Sequence, residues 1–213
     1  MAIFDLHTET LIQNWDKTVK QQINVTLVTT EHAEDIQFIN FADKFIDTTS
    51  RLVINTATAE EGLPGILIRE NITYSALPLE KELEPFLEAL AQTNNPKVSN
   101  SIQQTLDKIN IPVSLKLYIA LQCPHCPNVV RTVIPLALCC NNIHLHIIDG
   151  SLFPQTAKED NVMSAPCLIL DNDFRWTGNV TDEEISKMIT SRDPSQLSAG
   201  TLKTVLEQGD ADW

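Results

Sequence analysis

No cysteine occurs in the first 122 of the 213 residues; all five lie at positions 123, 126, 139, 140 and 167. Whatever thiol chemistry the chain performs is confined to its second half. Positive charge is scarce too, with 15 Lys and Arg against 28 Asp and Glu, a net charge of −13. Residues 1–95 carry 6 against 15, a net charge of −9. That balance argues against a nucleic acid or an anionic membrane as partner. No apolar run approaches the ~20 residues that cross a bilayer. The opening residues, Met1 to Glu9, lack the basic and apolar regions of a secretory signal, so a cytoplasmic location is expected. In that compartment cysteines serve redox or metal roles more often than a structural disulfide framework.

What is present is Cys123-Pro124-His125-Cys126. Two cysteines three apart can share one helix turn. At a helix start the first sulfur meets unpaired N–H groups and the positive end of the dipole, which favours thiolate. The second can then resolve a mixed disulfide. The same spacing supplies half of a zinc site. The flanks point to redox: Val113–Ala120 alternates as a strand, and Pro127–Ile134 is apolar at helical spacing. No second C-x-x-C exists to complete a zinc site.

Beyond the motif the pattern predicts a strand at 142–148, a short helix at 154–160, a strand at 165–170, a strand at 174–177 and a helix at 182–190. With the strand and helix around the motif this is β-α-β-α-β-β-α, the order of the thioredoxin fold. Residues 1–95 repeat it, with strands at 23–28, 51–55, 63–68 and 72–75 and helices at 33–47 and 80–91. The first copy is about a dozen residues shorter at the middle helix, so that helix is expected to be missing. The expectation is an α/β chain of two tandem thioredoxin-like folds, each a mixed central sheet flanked by helices. The first, 1–95, is degenerate; the second, 96–192, is redox-active; and 193–213 form a tail that could begin a further module.

These motifs resemble the N-terminal domain of the flavoprotein subunit of alkyl hydroperoxide reductase. More distantly the chain is similar to the two-domain protein disulfide oxidoreductases of archaea. The resemblance rests on Cys123–Val130, Ile148-Asp149-Gly150, Asn161–Met163 with Pro166, Gly178–Ile185, and Leu77–Leu79 followed by Glu82 and Leu83. It implies a dithiol–disulfide oxidoreductase acting on protein thiols or disulfides, such as a peroxiredoxin or a reductase. The related flavoprotein continues into a Gly-rich nucleotide-binding domain, and no G-x-G-x-x-G follows here, so no cofactor is expected within these residues.

In this reading Cys123 is the nucleophile and Cys126 the resolving thiol. Pro124 and His125 tune the thiolate, and a potential above that of thioredoxin is expected. Pro166 is expected to be cis, with the Ala165 backbone pairing to substrate. The resemblance implies that Glu82, from the cysteine-free copy, approaches the dithiol. Cys167 is read as a buried core residue, with a third redox thiol or metal ligand as the alternative. Cys139 and Cys140 are read as packing, His144 and His146 as a polar strand face rather than a zinc site, and Trp176 as core. Two other functions stay open: a metal-binding module using Cys123, Cys126 and Cys167, and a redox-sensing or interaction domain of a larger protein.

Overall fold

A computed structural model describes residues 4–191. The expected tail at 193–213 lies outside them. Eight strands run in the order β2-β1-β3-β4-β6-β5-β7-β8. They are β1 (Ile23–Thr29), β2 (Leu52–Thr58), β3 (Gly65–Arg69), β4 (Ile72–Ser75), β5 (Val113–Ile119), β6 (Ile143–Asp149), β7 (Cys167–Leu170) and β8 (Phe174–Thr177). The helices are α1 (Leu6–Thr18), α2 (Asp35–Thr48), α3 (Leu83–Gln92), α4 (Asn100–Leu106), α5 (Cys126–Cys139), α6 (Pro154–Glu159) and α7 (Asp182–Ser191).

The two sets of four strands have the same internal order, and they join into one sheet. β4 lies parallel beside β6, with Ile72 opposite Leu145 and Ser75 opposite Ile148. A single row of paired residues crosses all eight strands: Thr56, Leu27, Ile66, Tyr74, Ile147, Leu117, Leu168 and Trp176. The six between Thr56 and Trp176 are buried. Opposite residues in neighbouring strands share a face, so this row marks the apolar side of the sheet. Aromatic rings continue it outward: Tyr74 meets Phe86 of α3 edge-on at 5.1 Å between centroids, and Phe86 meets Phe41 and Phe45 of α2.

The other face differs between the halves. In the second half α6 covers it, with the Tyr118 hydroxyl donating to Asp160 Oδ2 at 2.6 Å and Lys116 Nζ 2.8 Å from the same oxygen. In the first half β2 runs into β3 through turns, with no helix between them. Asn24 and Asn55 on that face are exposed.

Side chains of the first half fasten the end of α5. Asn71, buried, donates through Nδ2 to the carbonyls of Ala137 (2.9 Å) and Ile143 (2.8 Å). Arg69 donates to the Leu138 carbonyl at 2.6 Å. The Ala137 and Leu138 carbonyls are ones that a helix end leaves without partners, and that of Ile143 opens β6. Across the seam Ser75 Oγ lies 2.8 Å from His146 Nε2. Gly65 must stay small there, because a Cβ would come within 2.8 Å of Ser75 Oγ and of the Tyr74 carbonyl oxygen.

Element bounds shift by a few residues at several ends, β2 running on to Thr58 rather than stopping at 55, and three of the differences bear on the site. α5 begins at Cys126, so Cys123 sits in the loop ahead of the helix rather than in its first turn. The same helix continues through Pro135 to Cys139; its apolar face is held by packing, which outweighs the lost hydrogen bond. The segment at Glu80–Glu82 is one 3₁₀ turn, and the α-helix starts at Leu83.

Candidate active site

The site lies where β4, β5 and β6 end and β7 begins. β5 delivers the chain into the loop at 120–125, which α5 closes. Cys123 and Cys126 are joined as a disulfide with Cα atoms 5.5 Å apart. The two sulfurs are unequal. Cys126 is 0% exposed, whereas Cys123 is half-buried at the surface. The backbone N–H of Cys126 donates to Cys123 Sγ at 3.1 Å. An N–H at a helix start, aimed at that sulfur, stabilises negative charge there. Pro124 and His125 are exposed beside it.

The Ala165–Pro166 peptide is cis, and the Ala165 carbonyl oxygen lies 3.6 Å from Cys123 Sγ. Next to it is a cleft of about 200 Å³ lined by Tyr118, Ala120, Gly150, Ser151, Met163 and Ala165. Met163 stands at its rim, 94% exposed.

On the other side the 3₁₀ turn of the first half grips the loop before the motif. Lys81 Nζ donates to the Gln122 carbonyl at 3.3 Å, and Gln122 Nε2 donates to Glu80 Oε2. Glu82, within the turn, is 0% exposed. Its Oε2 accepts from Tyr74, while its Oε1 is buried without a hydrogen-bond partner. Burial lifts the Glu82 carboxyl from 4.5 to about 7, against the Tyr74 hydrogen bond and the charge of Arg131, which lower it; Asp149 adds to the rise. The same burial raises the Tyr74 hydroxyl well above its usual value. Asp149 ends β6, accepts from the N–H groups of Ser151 (2.8 Å) and Leu152 (3.3 Å), and is itself raised by burial. Arg131 of α5 holds Glu88 of α3 through two hydrogen bonds at 2.7 and 2.8 Å.

The remaining cysteines lie elsewhere. Cys167 is buried on β7 opposite Tyr118, on the face that α6 covers, and burial raises its thiol. Cys139 and Cys140 end α5, and burial raises both. His146 is half-buried by surface area, with its ring packed among protein atoms; burial, then the charge of Lys116, pushes it down to about 4. Among the described residues no group of three or more His, Cys, Asp or Glu is placed to hold a metal. None of their helices is long and apolar enough to cross a membrane.

Tyr74, Asp149 and Arg131 are absent from the sequence reading of the site. Only Asp149 carried a signal, as the polar end of an apolar strand.

Residues 94–190 match the family model of the thioredoxin domain. Among curated proteins the chain is 26% identical over 171 residues to the alkyl hydroperoxide reductase AhpF of Staphylococcus epidermidis, covering 79% of this chain and 32% of that one. It is 22% identical over 204 residues to a Bacillus subtilis protein named NADH dehydrogenase, covering 92% and 40%. The chain thus spans well under half the length of these relatives. Of solved structures, the N-terminal domain of AhpF from Enterococcus faecalis superposes with a TM-score of 0.75 at 17% identity, covering 87% of this chain and 99% of that one. A protein disulfide oxidoreductase from Aeropyrum pernix superposes with a TM-score of 0.80 at 13% identity, covering 94% and 98%. The fold is that of these tandem thioredoxin-like proteins.

Proposed function

We propose that this chain, with its tandem thioredoxin-like fold, exchanges electrons with protein partners through the Cys123–Cys126 couple. The family match and the reductase relatives support thiol–disulfide redox chemistry in general. The observation that carries the finer reading is the asymmetry of the two sulfurs: one reachable and facing an N–H, the other sealed behind it.

In the reduced form the Cys123 thiolate attacks a client disulfide. A Cys123–client bond forms, and one client sulfur leaves as thiolate. Cys126 then gives up its proton and attacks Cys123 Sγ. The Cys123–Cys126 disulfide forms and the second client sulfur leaves. Two electrons have passed to the client. With an oxidised module the same steps run backwards. An extended client segment lies along the Ala165 backbone, and the cleft at Met163 receives one of its side chains. His125, exposed beside Cys123, adds positive charge when protonated, and with Pro124 it sets the potential above that of thioredoxin. Glu82 takes the Cys126 proton, since a carboxyl near 7 can hold or release one at neutral pH. Partners are a peroxiredoxin-like acceptor or a reductase-like donor, presenting a surface disulfide or dithiol.

Insulin reduction, or oxidation of a coupled peroxiredoxin, tests the reading. Cys123→Ser should abolish turnover; full activity in that variant would refute it. Glu82→Gln should slow the second step and flatten its pH dependence near 7, leaving the first attack unchanged.

A further inference from the structure

The cleft beside the dithiol has walls without charge. Its volume is about 200 Å³, and none of the residues that line it is charged. That is below the roughly 300–1,000 Å³ of a site for a whole small molecule, yet several times the ~30 Å³ share of one liquid water. One large side chain suits it. Of its lining residues that are buried, only Tyr118 carries a polar side chain. That hydroxyl is engaged already, donating to Asp160 Oδ2 at 2.6 Å, and Asp160 also holds Lys116 Nζ at 2.8 Å. A charged group entering the cleft would leave water and find no partner. An apolar group would gain by leaving water.

The cleft opens next to the reacting sulfur. Ala165 forms part of its wall, and the Ala165 carbonyl oxygen is 3.6 Å from Cys123 Sγ. An extended chain advances about 3.3 Å per residue. A segment whose cysteine reaches Cys123 therefore brings a side chain to the cleft from one or two residues away. Met163 stands 94% exposed at the rim, and its unbranched thioether adapts to apolar side chains of different shape. Gly150 limits the space inside. A Cβ placed there would lie 3.6 Å from the Ala157 Cβ and 3.7 Å from Tyr118 Cδ1, ordinary contacts with two residues of the lining. The Gly150 backbone is not in the left-handed region, so a methyl is accepted without strain and takes up room in the cleft.

We infer that this cleft selects the client: it takes a large apolar side chain, Leu, Met or Phe, one or two residues from the client's cysteine. The absence of a side chain at Gly150 sets how large that residue can be. This selection rests on the dithiol exchange proposed above and adds the chemical class of the client segment.

Peptides with one cysteine, joined in symmetric pairs by a disulfide, test it. They carry Gly, Asp, Ala, Leu, Met or Phe at each of the two positions on either side of the cysteine in turn. Mixed with the reduced full chain, each pair is split into two thiols as the Cys123–Cys126 disulfide forms. Rapid alkylation and mass spectrometry follow the loss of the chain's dithiol. At one position, peptides with Leu, Met or Phe should react about tenfold faster than those with Gly or Asp. In Gly150→Ala the preference should move from Phe toward Ala. Met163→Gln, at a site too exposed to threaten the fold, should narrow the gap between Leu and Gly. The ratio between peptides is the readout, because a merely structural defect slows all of them alike. Hydroxyethyl disulfide, which has no flanking residue, reports the exchange by itself. Reaction with it but equal rates across the peptides overturns the selection and leaves the exchange standing. No reaction with any disulfide overturns both. Ratios unchanged in both variants overturn the assignment to this cleft.

Discussion

Tyr74 donates its hydroxyl to Glu82 Oε2 at 3.2 Å, and both side chains are fully buried. Each comes from the half without cysteines, yet Glu82 belongs to the turn that grips the active-site loop, and Tyr74 is bonded to it.

This buried carboxyl gives stability a pH dependence. Its native value near 7 lies above 4.5, so the folded state binds the proton more tightly than the unfolded chain. Below about pH 4.5 both states are protonated and nothing is lost; the penalty grows from there to 7 and is complete above it. Relative to Glu82→Gln, the wild type should lose about 3 kcal/mol between pH 4.5 and about pH 8. Urea unfolding at several pH values measures this, and a constant difference would contradict it.

Arg131 should matter more to proton affinity than to stability. Its pair with Glu88 is partly exposed on both sides, so Arg131→Ala should cost under about 1 kcal/mol. Because Arg131 lowers the Glu82 carboxyl, its removal should move that titration upward. Carboxyl-carbon NMR would follow the shift directly.

Asn71 ties the halves from a buried position. Asn71→Ala leaves the Ala137 and Ile143 carbonyls without their donor and should cost about 2–3 kcal/mol. A lower urea midpoint with an unchanged slope is the expected result.

Thiol labelling should separate the cysteines. With the disulfide intact, three thiols remain, of which only Cys139 is not fully buried. Burial raises all three, so Ellman's reagent at neutral pH should react slowly, and with Cys139 first. Reduction should add two groups, Cys123 reacting well ahead of Cys126.

The order of strands and helices was legible because its signals are local. Alternation marks β5 and β6, and a proline opens the turn into β7. The joining of β4 to β6 was not, because two apolar strands far apart in sequence carry no mark of which edges meet. Glu82 illustrates the limit. A family resemblance named it, but its burial follows from a 3₁₀ turn pressed against α5, and helical spacing would have left it on a solvated face. Cys167 sits beside Pro166 in sequence, and only strand pairing reveals that it faces α6.

One sheet running through both halves has a mechanical consequence. Two folds joined by a linker could swing, and an acid on one would meet a dithiol on the other only part of the time. Here β4 and β6 share hydrogen bonds, and Asn71 and Arg69 clamp the end of α5. Among the described residues the two halves are joined by strand pairing rather than by a linker alone. A frame continuous across both halves leaves the short loops at the strand ends as the least tethered segments around the dithiol.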